Sequence, residues 1–204
     1  MKTGKKRLLV DLSKLQGAYC GLWEVSRRLG QALIDSLDYS RWELTFLVPR
    51  NHPFTDGRVR YLRMKWWHRF FLKYRCYDVL HGLAQNSPYL RYKNSHSKYM
   101  VTLHDLNFLH EKQDANKERN LRKYQRNLQG ISQVVFISRF AAQDAFTHLN
   151  LDGIKTSVIY NGVFEHNTER KAAPVGLEAQ LQGREFLFFV STFMRKKNIT
   201  CWWI

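Results

Sequence analysis

Short apolar runs recur along this chain, each followed by a polar loop or a helical pattern, and that alternation limits the fold more than any other feature. Arg7–Leu12 (RLLVDL), Trp42–Val48 (WELTFLV), Asp78–His81, Tyr99–Leu103 (YMVTL), Val134–Ile137 (VVFI) and Ser157–Tyr160 (SVIY) read as strands, with Arg58–Leu62 a weaker one. Among the intervening segments, Leu22, Val25, Leu29, Leu33 and Leu37 form one helical stripe. Met64–Arg75 and Asp114–Gln129 are also helical, and Ser138 is a good N-cap for a helix over Arg139–His148. Strands alternating with helices across short connections imply βαβ units, hence an α/β fold with a mostly parallel sheet covered on both faces. Ligands of such sheets sit beyond the C-terminal strand ends. The loops after Leu12, Leu103, Ile137 and Tyr160 are therefore where chemistry is expected.

A chain of 204 residues is long enough for one full α/β domain and too short for two large ones. Its 33 Lys+Arg against 17 Asp+Glu give a net charge of +16, which favours polyanionic partners such as nucleic acid, anionic membrane or phosphorylated small molecules. Cys20, Cys76 and Cys201 are far apart and unpatterned, so neither a disulfide framework nor a zinc site is indicated, and a reducing compartment fits. The apolar run after the basic N-terminus, Leu8–Val10, is too short for a signal-peptide core. No apolar run approaches the ~20 residues of a spanning helix. A cytoplasmic protein is expected.

Several residues at the expected loops could carry chemistry. Gly17 and Gly21 bracket a loop before a helix, where backbone amides and the helix dipole suit an anion; the plain alternative is a tight turn. His104 and Asp105 follow YMVTL, so His104 could donate a hydrogen bond to a substrate hydroxyl while the carboxylate orders the loop. His104 could equally be a satisfied strand-end histidine, the reading preferred for His81. Asn161-Gly162 is a turn dipeptide closing SVIY. The cations of Arg195–Lys197 follow Phe186–Val190 (FLFFV) and suit a diphosphate, or form an ordinary solvated run.

Taken together, VTLHDLNFLH (101–110), QVVFISRFAAQDAF (133–146), TSVIYNGV (156–163), FLFFVSTFMRKKNI (186–199), YDVLHG (77–82) and the glycine loop resemble, in content and order, the retaining glycosyltransferases of family four. The resemblance implies a GT-B architecture: two Rossmann-like domains facing a cleft, the first on the acceptor side and the second binding a nucleotide-diphosphate sugar. It implies a saccharide or lipid-linked acceptor, retention of anomeric configuration, and neither cofactor nor metal. It puts His104 against the donor sugar with Asp105 beside it, Gly17 and Gly21 facing the donor phosphates, and Lys196 and Lys197 on the diphosphate. Ser138, Asn161 and Gly162 would line the cleft. Polysaccharide or lipopolysaccharide assembly is the expected setting.

On this reading residues 1–163 form the N-terminal domain, 164–185 an interdomain linker, and 186–204 the beginning of the donor-binding domain. A truncated and inactive fragment is the expectation, since Ile199–Ile204 does not continue the family pattern. A nucleic-acid-binding module driven by charge, or a non-catalytic scaffold, is the alternative, although no helix-turn-helix, RRM or zinc pattern is present. A steep salt dependence of tight DNA binding would favour the former. Finally, Met64, Trp66, Trp67, Phe70, Phe71 and Tyr74 fill one half of a helical wheel and basic residues most of the other. Packing of that aromatic half against the sheet is the preferred expectation, and seating on anionic lipid the second.

Overall fold

A computed structural model describes residues 4–17, 21–72, 77–110 and 116–162. The chain divides into two compact units, Met1–Asn161 and Gly162–Ile204. The first holds strands β1 (Lys6–Asp11), β2 (Trp42–Val48), β3 (Arg60–Arg63), β4 (Val79–Gly82), β5 (Lys98–Leu103), β6 (Gln133–Phe136) and β7 (Lys155–Val158). Its helices are α1 (Gly21–Ser36), α2 (His68–Phe71), α3 (Lys117–Leu128) and α4 (Arg139–His148), with 3-10 turns at Ser13–Gln16, Pro88–Leu90 and Asn107–Leu109. The strands form one seven-stranded sheet in the order β3-β2-β1-β4-β5-β6-β7. Every pairing is parallel. This is the Rossmann-like α/β sheet that the alternation predicts. The expected linker 164–185, the strand Phe186–Val190 and the pair Lys196 and Lys197 lie outside the described residues.

Strand alternation sorts the core onto two faces. Leu9 and Leu47 point to one side with Leu80, Val101, Leu103, Val134 and Phe136, beneath Leu128 of α3 and Ala141 and Ala145 of α4. Their neighbours Val10 and Phe46 point to the other, beneath Ile34 of α1 and Phe54. Helices thus cover both faces. On the second face the described apolar cluster runs from Tyr61 of β3 through β2 and β1 to Leu83 after β4, and β5 and β6 present half-buried Met100, Thr102 and Val135 there.

The expected stripe on α1 is rotated. Ser26, Gly30 and Ile34 are its buried line, and Leu29 and Leu33 flank it half-buried. The cause is Gly30, which lets the helix approach so closely that a β-carbon there would lie 2.4 Å from the Phe54 ring. A periodicity count weights leucines and cannot register contact made through an absent side chain.

The segment Met64–Arg75 departs further from expectation. Its described helix is only His68–Phe71, and residues 73–76, including Tyr74, lie outside the described residues. The preferred packing of its aromatic half is also overturned. His68 and Leu72 are the buried pair, whereas Trp66 is 67% and Phe71 56% exposed. One helical turn separates His68 from Leu72, so they share the inward face and Trp66, Trp67, Phe70 and Phe71 turn outward. Among the described residues no helix is long and apolar enough to cross a membrane.

Candidate functional site

In the order β3-β2-β1-β4-β5-β6-β7 the chain leaves β1 toward one edge and later returns to β4 on its other side. A parallel sheet opens a crevice at such a switch point, outside the C-terminal ends of the two strands. Three connections meet there: the Leu12–Gly17 loop after β1, the Leu83–Leu90 loop after β4, and the His104–Leu109 loop after β5.

Side chains tie these connections together. Asp11 ends β1 buried at 3% exposure, and its Oδ2 accepts from Ser87 Oγ at 2.5 Å while Oδ1 accepts from Ser13 N at 2.9 Å. Burial pushes the Asp11 carboxyl above its ordinary range, against the hydrogen bonds from Ser87 and Ser13. Ser87 Oγ also caps the Pro88–Leu90 turn by accepting from Tyr89 N. Gln85 bridges β4 to β5: its Oε1 accepts from His104 N at 3.3 Å, and its Nε2 donates to Asp105 O at 2.8 Å. Behind it, Asn127 Nδ2 donates to Gln85 O, and Lys93 Nζ donates to Asn127 O at 2.8 Å. Burial lowers the Lys93 pKa to about 8. Asn86 Oδ1 is buried without a hydrogen-bond partner.

His104 sits directly after β5 and is 9% exposed. Its Nε2 lies 2.7 Å from the Leu83 carbonyl oxygen. A carbonyl only accepts, so Nε2 carries the proton and Nδ1 is the acceptor of the neutral ring. Burial holds its pKa below the usual histidine range, with Lys14 adding to the lowering and the Leu83 carbonyl and Asp105 opposing it. The ring as held can take a hydrogen bond through Nδ1. Donation to a hydroxyl, the role expected from sequence, would need Nε2 to leave Leu83. Asp105 orders its own loop, accepting from Asn107 N at 3.2 Å.

The remaining expected residues are placed as follows. Gly17 follows the Ser13–Gln16 turn with φ −93°, and Gly21 opens α1. Positive φ occurs at Gly130 and Gly153 and at neither of these. A β-carbon at Gly17 or Gly21 would meet no atom of the other described residues within 4 Å. No turn and no packing contact thus requires glycine at either position, and space lies open beside both. Ser138 lies two residues past the end of β6, and its Oγ caps α4 by accepting from Ala141 N at 3.1 Å. Asn161 and Gly162 follow β7. Gly17, His104 and Asn161 therefore lie on one edge of the sheet, since they follow parallel strands. They do not crowd one point: β7 is four strands from β1, about 19 Å at ~4.8 Å per strand. His81 is inside β4, its Nε2 2.9 Å from Thr102 Oγ1, and burial pushes its pKa down to about 4. It is a satisfied interior histidine.

Sequence reasoning passed over Asp11, Gln85, Ser87 and Asn127. Asp11 did carry a signal, a carboxylate inside the apolar run RLLVDL at a strand's C-terminal end. Gln85 and Asn127 carry none, because ordinary polar residues become a bridge only once the topology brings their loops together. Among the described residues no group of three or more His, Cys, Asp or Glu side chains converges.

A parallel, Rossmann-like sheet with a hydrogen-bonded polar cluster at its switch point defines an α/β domain with a candidate ligand crevice. The model of the family described as Glycosyltransferase Family 4 matches residues 33–165, from within α1 past the end of β7. The chain belongs to that family. A comparison with curated proteins finds no match.

Proposed function

We propose that this domain is the acceptor-side wall of a GT-B hexosyltransferase that moves a sugar from a nucleotide-diphosphate donor to a saccharide or lipid-linked acceptor with retention of configuration. The observation carrying this reading is the position of His104 directly after β5, held to the Leu83 carbonyl at 2.7 Å and linked through Gln85 to the loop after β4. A neutral, pre-oriented ring at a switch-point crevice suits contact with an uncharged sugar rather than with a phosphate. The open space beside Gly17 and Gly21 suits close approach of the donor phosphates to backbone amides at the start of α1. Lys196 and Lys197, rather than a metal, would take up the charge developing on the departing diphosphate. Asp105 orders the loop that carries His104. Ser138, Asn161 and Gly162 would line the acceptor end of the cleft, and the setting would be the cytoplasmic side of polysaccharide or lipopolysaccharide assembly. The family does not favour a nucleic-acid-binding module.

The test is His104→Ala in an enzyme that carries both walls of the cleft, assayed for donor consumption with common nucleotide-diphosphate sugars. Turnover is expected to fall by ~100-fold or more, while donor affinity measured by calorimetry changes far less. Activity should survive chelation of divalent metal. Unchanged turnover would remove His104 from the reaction.

A further inference from the structure

The outward-facing aromatic cluster around α2 has no part in the proposed chemistry, yet it is unusual for a soluble surface. Trp66 is 67% exposed, Phe71 56%, Trp67 38% and Phe70 37%, and the four are adjacent. Trp66 meets both Trp67 and Phe70 edge-on, at centroid distances of 5.8 and 6.5 Å. Large apolar surfaces exposed in one contiguous patch mark interaction sites. The inward pair His68 and Leu72 anchors the segment, so its aromatic side is not available to the core.

The charge around the cluster is of one sign. Lys65 Nζ lies 4.8 Å from the Trp67 ring centroid, and the Arg69 guanidinium 5.6 Å from that of Phe70. Phe70 also packs at 5.5 Å against Tyr92, whose ring the exposed Arg91 covers. Between Asp56 and Asp105 the only acidic residue in the sequence is Asp78, and its carboxylate accepts from Arg7 N at 2.6 Å. Aromatic rings beside long cationic side chains match the interfacial zone of a bilayer: the rings enter the headgroup region while the cations reach the phosphates. A protein partner with an apolar groove would satisfy the rings alone. A nucleic-acid duplex, its bases stacked inside, would satisfy the cations and leave exposed Trp66 without an apolar phase.

We infer that Trp66, Trp67, Phe70 and Phe71, framed by Lys65 and Arg69, form a docking surface for an anionic lipid bilayer. The placement gives docking a direction. α2 follows β3 at the C-terminal edge of the sheet and packs on the Pro88–Leu90 turn, whose Ser87 cap is hydrogen-bonded to Asp11 at the candidate site. Arg69 and Asp11 both act electrostatically on Tyr89 of that turn. Seating α2 on lipid therefore brings the crevice edge of the sheet to the membrane surface. The inference is separate from the transfer reaction, because vesicle binding and sugar transfer are read by different assays and can fail independently.

The test is co-sedimentation of the full chain with phosphatidylcholine vesicles, with and without phosphatidylglycerol. Binding is expected with the anionic vesicles only and should weaken as salt rises. Trp66→Ser should lower the partition coefficient ~10-fold or more, as loss of a large buried apolar side chain implies. A Lys65→Glu, Arg69→Glu double variant should lower it at least as much, with all four rings intact. Both variants change exposed residues, and unchanged circular dichroism would verify the fold. Equal binding to neutral vesicles, or binding unaffected by Trp66→Ser, would overturn the inference. So would self-association abolished by Trp66→Ser without vesicle binding, which assigns the patch to a second copy of the chain. Tight DNA binding with no vesicle binding would overturn it as well.

Discussion

The strand ends at the two sides of the same sheet edge are built on opposite principles. At β1, β4 and β5 the loops are joined by buried polar groups: Asp11 to Ser87, His104 to Leu83, and Gln85 to both sides of the β5 junction. Each of these groups gives up water for a partner, and the shifted pKa values of Asp11 and His104 show that burial still opposes their charged forms. At β6 the junction is a single N-cap, Ser138 to Ala141 N, on a half-exposed serine. The first region keeps polar groups buried at some expense to stability, as functional sites commonly do. The second is a helix start, with one hydrogen bond from backbone to side chain.

Acid titration should separate the two regions most widely. His81, under the first junction, has its pKa pushed from 6.5 to about 4 in the fold. The folded pKa is depressed, so the unfolded chain binds the extra proton between these values. Stability is then full above pH 6.5, falls as pH drops toward 4, and levels off below. A shift of this size corresponds to up to about 3 kcal/mol. Denaturant unfolding measured from pH 7 to pH 4 should show the loss, and His81→Gln should flatten it. An unchanged slope in that variant would mean that other groups govern the acid limb.

A backbone substitution probes the same region with a smaller effect. At Gly82 a β-carbon would lie 2.7 Å from Leu90 Cδ1 and 3.0 Å from Leu90 Cγ. Leu90 is fully buried and ends the turn that Ser87 caps, so it has little room to retreat. Gly82→Ala is expected to cost about 1–3 kcal/mol by overpacking. On the proposed function, donor binding or turnover should suffer as well, because the Ser87–Asp11 contact is on the displaced turn. Gly17→Ala, with open space beside it, should leave stability nearly unchanged. Equal stabilities for the two variants would erase the distinction between a packing glycine and one facing empty space.

The smallest effect is expected at the plain junction. Ser138→Ala removes the cap of α4 and should lower stability by about 1 kcal/mol. Turnover should be unaffected if Ser138 serves only as a cap. A loss of activity larger than the loss of stability would place its hydroxyl in the cleft after all, and would draw the two regions together.

These contrasts explain what could be read beforehand. Strand and helix identity rested on local periodicity, so β2 is found over the expected Trp42–Val48 and α4 begins directly after the expected cap at Ser138. The edges of β4 and β7 moved by one or two residues, because pairing register and not propensity decides where a ladder ends. The loop of His104 and Asp105 was recognisable from its place after an apolar strand. The Gln85 bridge was not, since its partners are 19 and 20 residues away and nothing local marks it. The aromatic segment failed for a related reason. Helical spacing reveals two faces, and only the tertiary anchors His68 and Leu72 decide which one turns inward.

Among the described residues β3 and β7 are the outermost strands, and this has a consequence for how the domain behaves in a crowded solution. β3 and β7 are each only four residues long, and the exposed residues along them include Arg60, Arg63 and Lys155. An open parallel sheet offers unpaired amides and carbonyls at both sides, a template on which another copy could extend it. Short borders studded with like charge repel such an approach before hydrogen bonds can form. Part of the cationic surplus thus works as a fence against fibre growth, and neutralising Arg60 and Arg63 would open the longer-lived route to aggregation.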